Sequence, residues 1–470
     1  FPRFLHDFTE PIELFSSNER FTDADVAAVV YSLDGMDPPG GDQGFVWEHE
    51  GYNWAVVTSC EQISNDNDVG HLKILCCEGT EFSYASEEII FSEPEEDIRF
   101  PKVDAASFAF PAVPPGTPPE RYNFIEVSIV YSQWNTNTDT WDLAITILRF
   151  HHNDFINQLE EIEPFLSDSR ILGYGVDCKY PDVAYNPSTG DIAVVYSKTI
   201  APGTVQVFYI VGQRSDPYDQ ITWGNTYRAQ IPNHNGFHPR IDIGLFNQDW
   251  VVGIAYTGYS NYRWRPWINY WSAALPMPST INNFEIPFPD EVYEDHGGGL
   301  PVIDIGPPGT DFAAAVWTQA KDPQDPSDWE KVSVAYIDTR GGYCLFTPPD
   351  TEDLSSYPSI SIHYTDLEYP KASLSYLYYD SQNGYWLPSM IGIEPDPDGD
   401  PYPVAFGISM DMYGFGVISD WSALDCISNW IGMGTSIVVG QDNCYWMVWT
   451  SMLSNENEPR RIHGAYGFTE

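Results

Sequence analysis

Eleven consecutive residues, Asn261 to Trp271, hold two of the chain's 14 arginines and three of its 16 tryptophans. Flat indole and phenol faces stack on sugar rings or peptides, and guanidinium groups add cation–π contact and hydrogen-bond donors. On that ground Arg263, Trp264, Arg265, Trp267, Tyr270 and Trp271 are the candidate ligand-binding residues. The same alternation suits a third β-strand wedged between neighbouring sheets, and both readings stand. A second chemistry is suggested by Glu394-Pro-Asp396-Pro-Asp398-Gly399-Asp400. Carboxylates at alternate positions around a tight turn offer hard oxygen ligands, so Asp396, Asp398 and Asp400 are candidate Ca²⁺ ligands. The loop is no EF-hand, because glycine stands fourth and not sixth and no glutamate stands twelfth. Asn135, Asn137 and Asp139 repeat the alternation without the glycine. A solvated acidic turn explains either loop equally well.

No P-loop, dinucleotide fingerprint, Gly-x-Ser-x-Gly elbow or His-Glu-x-x-His motif occurs, so phosphate, hydride, esterase and zinc-protease chemistry have no local support. Charge narrows the partners further. Lys and Arg total 21 against 68 Asp and Glu, a formal net charge of −47 over 470 residues. Nucleic-acid affinity comes largely from cations that displace counterions, so no nucleic-acid partner is expected, and an anionic membrane repels such a surface. No apolar run reaches the roughly 18 residues needed to cross a bilayer, so no membrane insertion is expected. With 43% hydrophobic and 15% aromatic residues the chain can still build a core. Its 36 glycines and 38 prolines, spread along the length, favour turns and short strands over long helices.

The seven cysteines, at 60, 76, 77, 178, 344, 426 and 444, include no Cys-x-x-Cys pair, which argues against a zinc ribbon or a thioredoxin-like site. Cys60 with Cys76 or Cys77, and Cys426 with Cys444, have the spacing of neighbouring antiparallel strands and are the expected disulfides. The first residue is Phe1 and not Met, as expected after removal of an export signal, and no Asn-x-Ser/Thr sequon free of Pro is present. The expected setting is therefore secreted, extracellular or at a cell surface, in a prokaryote.

The elements that must position these residues are repeats. An aromatic or apolar residue, Pro, any residue, then Val or Ile recurs at Phe100-Pro101-Lys102-Val103, Tyr180-Pro181-Asp182-Val183, His238-Pro239-Arg240-Ile241, Leu300-Pro301-Val302-Ile303 and Tyr357-Pro358-Ser359-Ile360, with Tyr402-Pro403-Val404-Ala405 a looser copy. A turn and a near-continuous apolar strand follow each, as at 126–134, 190–198, 249–258, 311–319, 372–380 and 413–421. Residues 52–60 and 443–451 keep that second strand without the Pro signature. Apolar strands of this kind are covered on both faces. Four-stranded antiparallel units repeated every 40 to 80 residues or so predict one all-β propeller domain over 1–470, because radial closure leaves few open edges. Eight blades are expected, with starts near 24, 100, 180, 238, 300, 357, 402 and 435, and seven as the alternative. Residues 1–15 are expected to close the ring against the C-terminal strand, 461–468. The best helical segment is 155–166.

The Pro repeat, with Tyr180-Pro-Asp-Val-Ala-Tyr-Asn-Pro followed by Ile192-Ala-Val-Val-Tyr-Ser as its fullest copy, resembles that of secreted propellers with sialidase-like or BNR-like repeats. The Asp-box of that group is present only as the degenerate Gly40-Gly41-Asp42-Gln43-Gly44-Phe45-Val46-Trp47. A sialidase activity would imply an arginine cluster, a Tyr–Glu pair and an acid, and Arg240 could face the central channel. The likeness in length to propeller polysaccharide lyases would imply His, Tyr and Arg, for which His151, His152, His234, His238, Tyr256 and Arg263 are the candidates. Neither motif carries over residue by residue. The reading is thus a non-catalytic extracellular propeller that binds a carbohydrate or protein partner at a cell surface or in a matrix, or associates with itself. A carbohydrate-active enzyme, lyase or glycosidase, with its site at the central channel is the alternative.

Overall fold

The computed structural model describes the strands named below with connecting residues 86–88, 91–92, 96–97, 136–139, 162–165, 174–175, 177, 186, 189–191, 202–203, 214, 220–221, 224–226, 229, 306 and 440. Among these no helix occurs; Leu166, at the end of the segment expected to be helical, begins a strand. The described strands form six hydrogen-bonded sheets; the largest, of nine strands, joins two units, and the seven units are called sheets here and numbered by innermost strand. Sheet one contains Arg20–Tyr31, Tyr52–Ser64 and Asn67–Glu78, edged by Glu81–Ala85 and Ile89–Ile90. Sheet two contains Ile98–Ala109, Asn123–Asn135, Thr140–His151 and Leu166–Gly173, and a short parallel pairing of Val29–Tyr31 with Ala105–Ser107 links it to sheet one. Sheet three contains Cys178–Tyr185, Ile192–Ala201 and Thr204–Gln213, edged by Thr222–Trp223 and Tyr227–Arg228. Sheet four contains Asn235–Phe246, Asp249–Ser260, Arg263–Ser272 and Asn282–Glu285. Sheet five contains Gly297–Ile305, Phe312–Ala320, Trp329–Asp338 and Tyr343–Phe346. Sheet six contains Ser355–Ile362, Ala372–Asp380 and Tyr385–Glu394, edged by Val404–Phe406 and Ile418–Ser419. Sheet seven contains Thr435–Val439, Cys444–Met452 and Arg460–Phe468, and takes Ile12–Phe15 as its outer strand.

Innermost strands of successive sheets touch in order, and that of sheet seven touches that of sheet one. The chain is a β-propeller. Within each sheet the antiparallel alternation sends one set of side chains to each neighbour. In Asn123–Asn135, Ile125, Val127, Ile129 and Tyr131 pack with sheet one, whereas Phe124 and Val130 pack with sheet three. Strands covered on both faces must be apolar at nearly every position, which is why they read as unbroken hydrophobic runs.

The ring closes as expected, with Ile12 opposite Gly464 and Phe15 opposite Ile462. Leu14 and Phe15 are buried in the core shared by sheets seven and one. Removing residues 1–15 should cost about 4 kcal/mol or more from those two side chains alone, and it bares the edge of Arg460–Phe468. A thermal melt of the truncated chain checks this; an unchanged midpoint would refute the closure. In the segment expected to start a unit near 402, the described Val404–Phe406 pairs with Gly392–Glu394 as an outer strand of sheet six, and residues 401–403, 407–417 and 420–434 lie outside the described residues.

Candidate functional site: the central channel

Each Pro copy makes a β-bulge. Arg99 lies opposite Ser132 and Lys102 opposite Val130, so Phe100 and Pro101 share one partner position, and the register jumps alike at Lys179/Asp182, Phe237/Arg240, Gly299/Val302 and Ser356/Ser359. Proline suits the bulge because its missing N–H has no ladder partner to lose. The residue before it is left-handed every time: φ is 55° at Phe100, 51° at Tyr180, 47° at His238, 54° at Leu300 and 56° at Tyr357. Bulky side chains rarely adopt that conformation, and a strained backbone repeated around one axis marks a built feature. Sheet one has the same bulge between Thr22 and Asp25, with Asp23 at φ 56° and Ala24 in the place of Pro.

These six residues form a collar at one end of the channel. Tyr180 stands between Phe100 and His238, with ring centroids 4.5 and 4.1 Å away. Behind the collar is a cavity of about 100 Å³, and beyond it a larger one of about 660 Å³ between the innermost strands. Burial, added to by Arg240, holds His238 down at about 3, so its imidazole is neutral at physiological pH.

Below the collar the sequence sets two rings of side chains. Immediately after the Pro position stand Asp25, Lys102, Asp182, Arg240, Val302, Ser359 and Ser436; two residues on stand Ala27, Asp104, Ala184, Asp242, Asp304, Ser361 and Val438. An innermost strand has an unpaired edge, and these short acceptors satisfy the N–H groups of the next sheet. In the first ring Val103 N–H donates to Asp25 (3.1 Å), Ile241 N–H to Asp182 (2.9 Å) and Ile437 N–H to Ser359 (3.3 Å). The second ring repeats this with Tyr185 to Asp104 (2.7 Å), Ile305 to Asp242 (2.5 Å), Ile362 to Asp304 (2.8 Å) and Val439 to Ser361 (3.0 Å). Ser436 Oγ donates to Asp25 at 3.0 Å and completes the circuit.

The two cations sit in the first ring, Lys102 Nζ 3.0 Å from Asp25 and Arg240 3.7 Å from Asp182. The second ring has none. Burial raises Asp104 to about 7 and Asp182 to about 6, although backbone donors and Arg240 respectively pull the other way. Asp242 is driven well above the usual range by burial and by neighbouring Asp304, and burial raises Asp304 too. The arrangement presents carboxyl groups that keep their protons in mild acid, two cations, several hydroxyls and an aromatic mouth.

Of the residues singled out by sequence, Arg240 and His238 belong to this channel. Arg263–Ser272 is the third strand of sheet four. Trp271 is buried and Trp267 packs beside it against sheet three, Tyr270 packs toward sheet five, and Trp264 lies against Phe237 and Tyr259. Arg265 is half-buried and, like these aromatics, does not line the channel. Tyr256 is fully buried, and His151 stacks on Phe165. Asp396, Asp398, Asp400, His152, His234 and the degenerate Asp-box lie outside the described residues. At the other carboxylate loop, Asn135 caps a hairpin turn by accepting from Asn137 N–H at 2.9 Å and donates to Asp142 at 2.7 Å. No cluster of metal ligands occurs among the described residues.

The expected pairing of Cys60 with Cys76 or Cys77 is corrected by the register. Cys60 lies opposite Gly70 and Cys76 opposite Trp54. Six residues of strand separate the two, about 20 Å, far beyond the span of a disulfide. Cys426 lies outside the described residues.

A Tyr–Glu–Arg constellation does exist, away from solvent. Glu126 accepts from Arg149 (2.7 Å), Tyr185 (2.8 Å) and Arg214 (3.1 Å), with a second, shorter bond from Arg214. Burial pushes Glu126 upward, but the two arginines overcome it and hold the carboxyl below its ordinary range. Glu126 and Arg214 are entirely buried side chains, so no ligand reaches them; the group clamps sheet two to sheet three.

No family model and no curated protein matches the sequence. Similar solved structures include an α-L-arabinofuranosidase from Fusarium graminearum in complex with an iminosugar inhibitor, at 9% identity and TM-score 0.41, covering 98% of this chain and 97% of that one. The Trypanosoma rangeli sialidase has 9% identity and TM-score 0.38, and this chain, at 98% coverage, spans 59% of its length. The haemagglutinin-neuraminidase ectodomain of parainfluenza virus 5 has 8% identity and TM-score 0.44, over 83% of this chain and 85% of that one. No residue role is carried over from them.

Proposed function

We propose that the protein is a non-catalytic extracellular binding module, and that a neutral carbohydrate is taken at the collar end of the channel. The observation that carries this is the division of labour along the axis. In the channel, Asp25, Asp104, Asp182, Asp242 and Asp304 each accept a backbone N–H of the next sheet. Groups so engaged hold the ring together. Phe100, Tyr180, His238 and Tyr357 instead surround the mouth, with Asp23, Lys102 and Arg240 around the small cavity behind them. Aromatic faces with nearby polar groups are what a sugar ring stacks on and hydrogen-bonds to. The −47 charge disfavours an anionic polymer, hence a neutral one.

One observation favours a second reading, glycoside hydrolysis. Asp242 and Asp304 stand on adjacent innermost strands at the wall of the larger cavity, and a pair of neighbouring carboxyls is the usual acid and base of such chemistry. Titration calorimetry with a panel of neutral oligosaccharides, run beside a reducing-end assay, separates the two. Binding without new reducing ends is expected. Tyr180→Ala should weaken binding at least about tenfold, since one aromatic platform is worth roughly 1–1.5 kcal/mol. Failure of every neutral oligosaccharide to bind would sink the proposal, and new reducing ends that vanish in Asp304→Asn would establish the second reading.

A further inference from the structure

We propose that Cys77 and Cys444 form a disulfide that locks the first sheet to the last. Their sulfurs lie 3.2 Å apart across 367 residues of chain. Cys77 is on the third strand of sheet one and Cys444 opens the second strand of sheet seven, so the bond would span the seam where the two ends of the repeat meet. Strand alternation decides which of two adjacent cysteines takes part. Cys76 faces the core shared with sheet two, whereas Cys77 faces the core that holds Leu14, Phe15, Cys444 and Trp446. No side chain stands between the sulfurs, and both residues are fully buried.

That burial fixes when the bond forms. A disulfide donor cannot reach either sulfur once sheets one and seven have met, so oxidation belongs to the closing stage of folding. The chemistry is thiol–disulfide exchange with a dithiol–disulfide oxidase as donor. One cysteine thiolate attacks the donor's disulfide to give a mixed disulfide and a donor thiolate; the second cysteine thiolate displaces the other donor sulfur. Two protein thiols are oxidised, the donor's disulfide is reduced to two thiols, and the two protons pass to the donor. Burial afterwards shields the bond from reductants. Its effect is to confine the unfolded chain within a very long loop, and it adds a covalent tie to a seam otherwise held by the shared core, the Ser436–Asp25 hydrogen bond and the outer strand Ile12–Phe15.

The test is to express the protein with export to a bacterial periplasm, unfold it at lysis in guanidinium chloride with N-ethylmaleimide so that buried thiols are blocked too, digest without reductant and map cross-linked peptides by mass spectrometry. The expected result is a peptide pair joined through Cys77 and Cys444. In melts of the untreated protein from the same expression, dithiothreitol present throughout should lower the midpoint by about 2–4 °C. Cys76→Ser should leave both results intact, and Cys77→Ser and Cys444→Ser should each abolish the cross-link and the dithiothreitol effect. Maleimide on both Cys77 and Cys444 in the unfolded, blocked material, or Cys444 joined to another cysteine, would overturn the proposal. It holds or fails independently of the carbohydrate reading.

Discussion

Glu126→Leu should destabilise the protein by about 3–5 kcal/mol, the largest loss expected from any one polar substitution in the described core, because it leaves two buried guanidinium groups uncompensated. The comparison with an exposed pair shows why count of contacts is the wrong measure. Arg170 makes three close contacts with Asp168, at 2.9, 2.9 and 2.5 Å, as many as Arg149 and Arg214 together make with Glu126. Both partners of that pair are about a third exposed, so water and salt screen them, and Arg170→Ala should cost at most about 1 kcal/mol. Arg214 and Glu126 expose nothing. Arg149 and Arg214 also lie 4.8 and 5.7 Å from the Phe124 and Phe108 ring centres, which adds to their desolvation and fixes their orientation. Denaturant unfolding of Glu126→Leu, Glu126→Gln and Arg170→Ala checks the ranking. Gln should fall between the others, since its amide keeps an acceptor but adds N–H groups facing other donors. Equal losses for Glu126→Leu and Arg170→Ala would mean that the clamp between sheets two and three contributes little.

The sequence displays the repeat and hides the clamp for different physical reasons. A bulge that places a left-handed residue before an unpaired position calls for proline, so five copies announce themselves at Pro101, Pro181, Pro239, Pro301 and Pro358. The sixth, Thr22-Asp23-Ala24-Asp25-Val26, reaches the same backbone with alanine and has no such mark. Tyr402-Pro403 lies outside the described residues, and the strand after it, Val404–Phe406, pairs on an outer edge. The aspartates of the two rings were open to view as carboxylates at fixed offsets from the bulge, Asp25 and Asp182 directly after it and Asp104, Asp242 and Asp304 two residues on. What the spacing did not reveal was that they face the next sheet's backbone. Glu126 and Arg214 are 88 residues apart and carry no local pattern at all; only the meeting of sheets two and three makes them a pair. Cysteine spacing misled because it assumed a hairpin paired end to end, whereas the real register offsets Cys60 from Cys76 by six positions. The Asn261–Trp271 segment shows the same limit, since a strand packed on both faces and a binding platform need the same residues.

The thermal midpoint should fall as pH rises from about 5 to about 8, by several degrees, and the sign follows from the channel. In the channel Asp104 is raised from 3.8 to about 7 and Asp182 to about 6, with burial the largest cause in each, and Asp242 and Asp304 move the same way; away from it Asp68, on Asn67–Glu78 beside Arg99, is also raised by burial to about 7. Between 3.8 and those values the unfolded chain releases protons that the fold keeps. The resulting stability is complete below 3.8, is lost as pH rises through 6 to 7, and the curve flattens above. Glu126 and Glu88 act oppositely, both held below their ordinary 4.5, and they remove stability as pH falls beneath that value. The optimum therefore lies near pH 4, where the two limbs meet. General repulsion within a chain of net charge −47 also grows over this range, and three variants separate the two causes. Asp304→Asn keeps an acceptor for Ile362 N–H and removes one titrating group from the second ring, so the slope between pH 5 and 8 should shrink. Asp168→Asn, on the surface, should leave the slope as it is, and Glu126→Gln should alter only the acid limb. Added salt should relieve repulsion between exposed charges more than within the buried ring, leaving most of the slope in place. A midpoint that rises steadily from pH 5 to 8, or a slope that Asp304→Asn and Asp168→Asn change alike, would contradict a channel held together by protonated carboxyls.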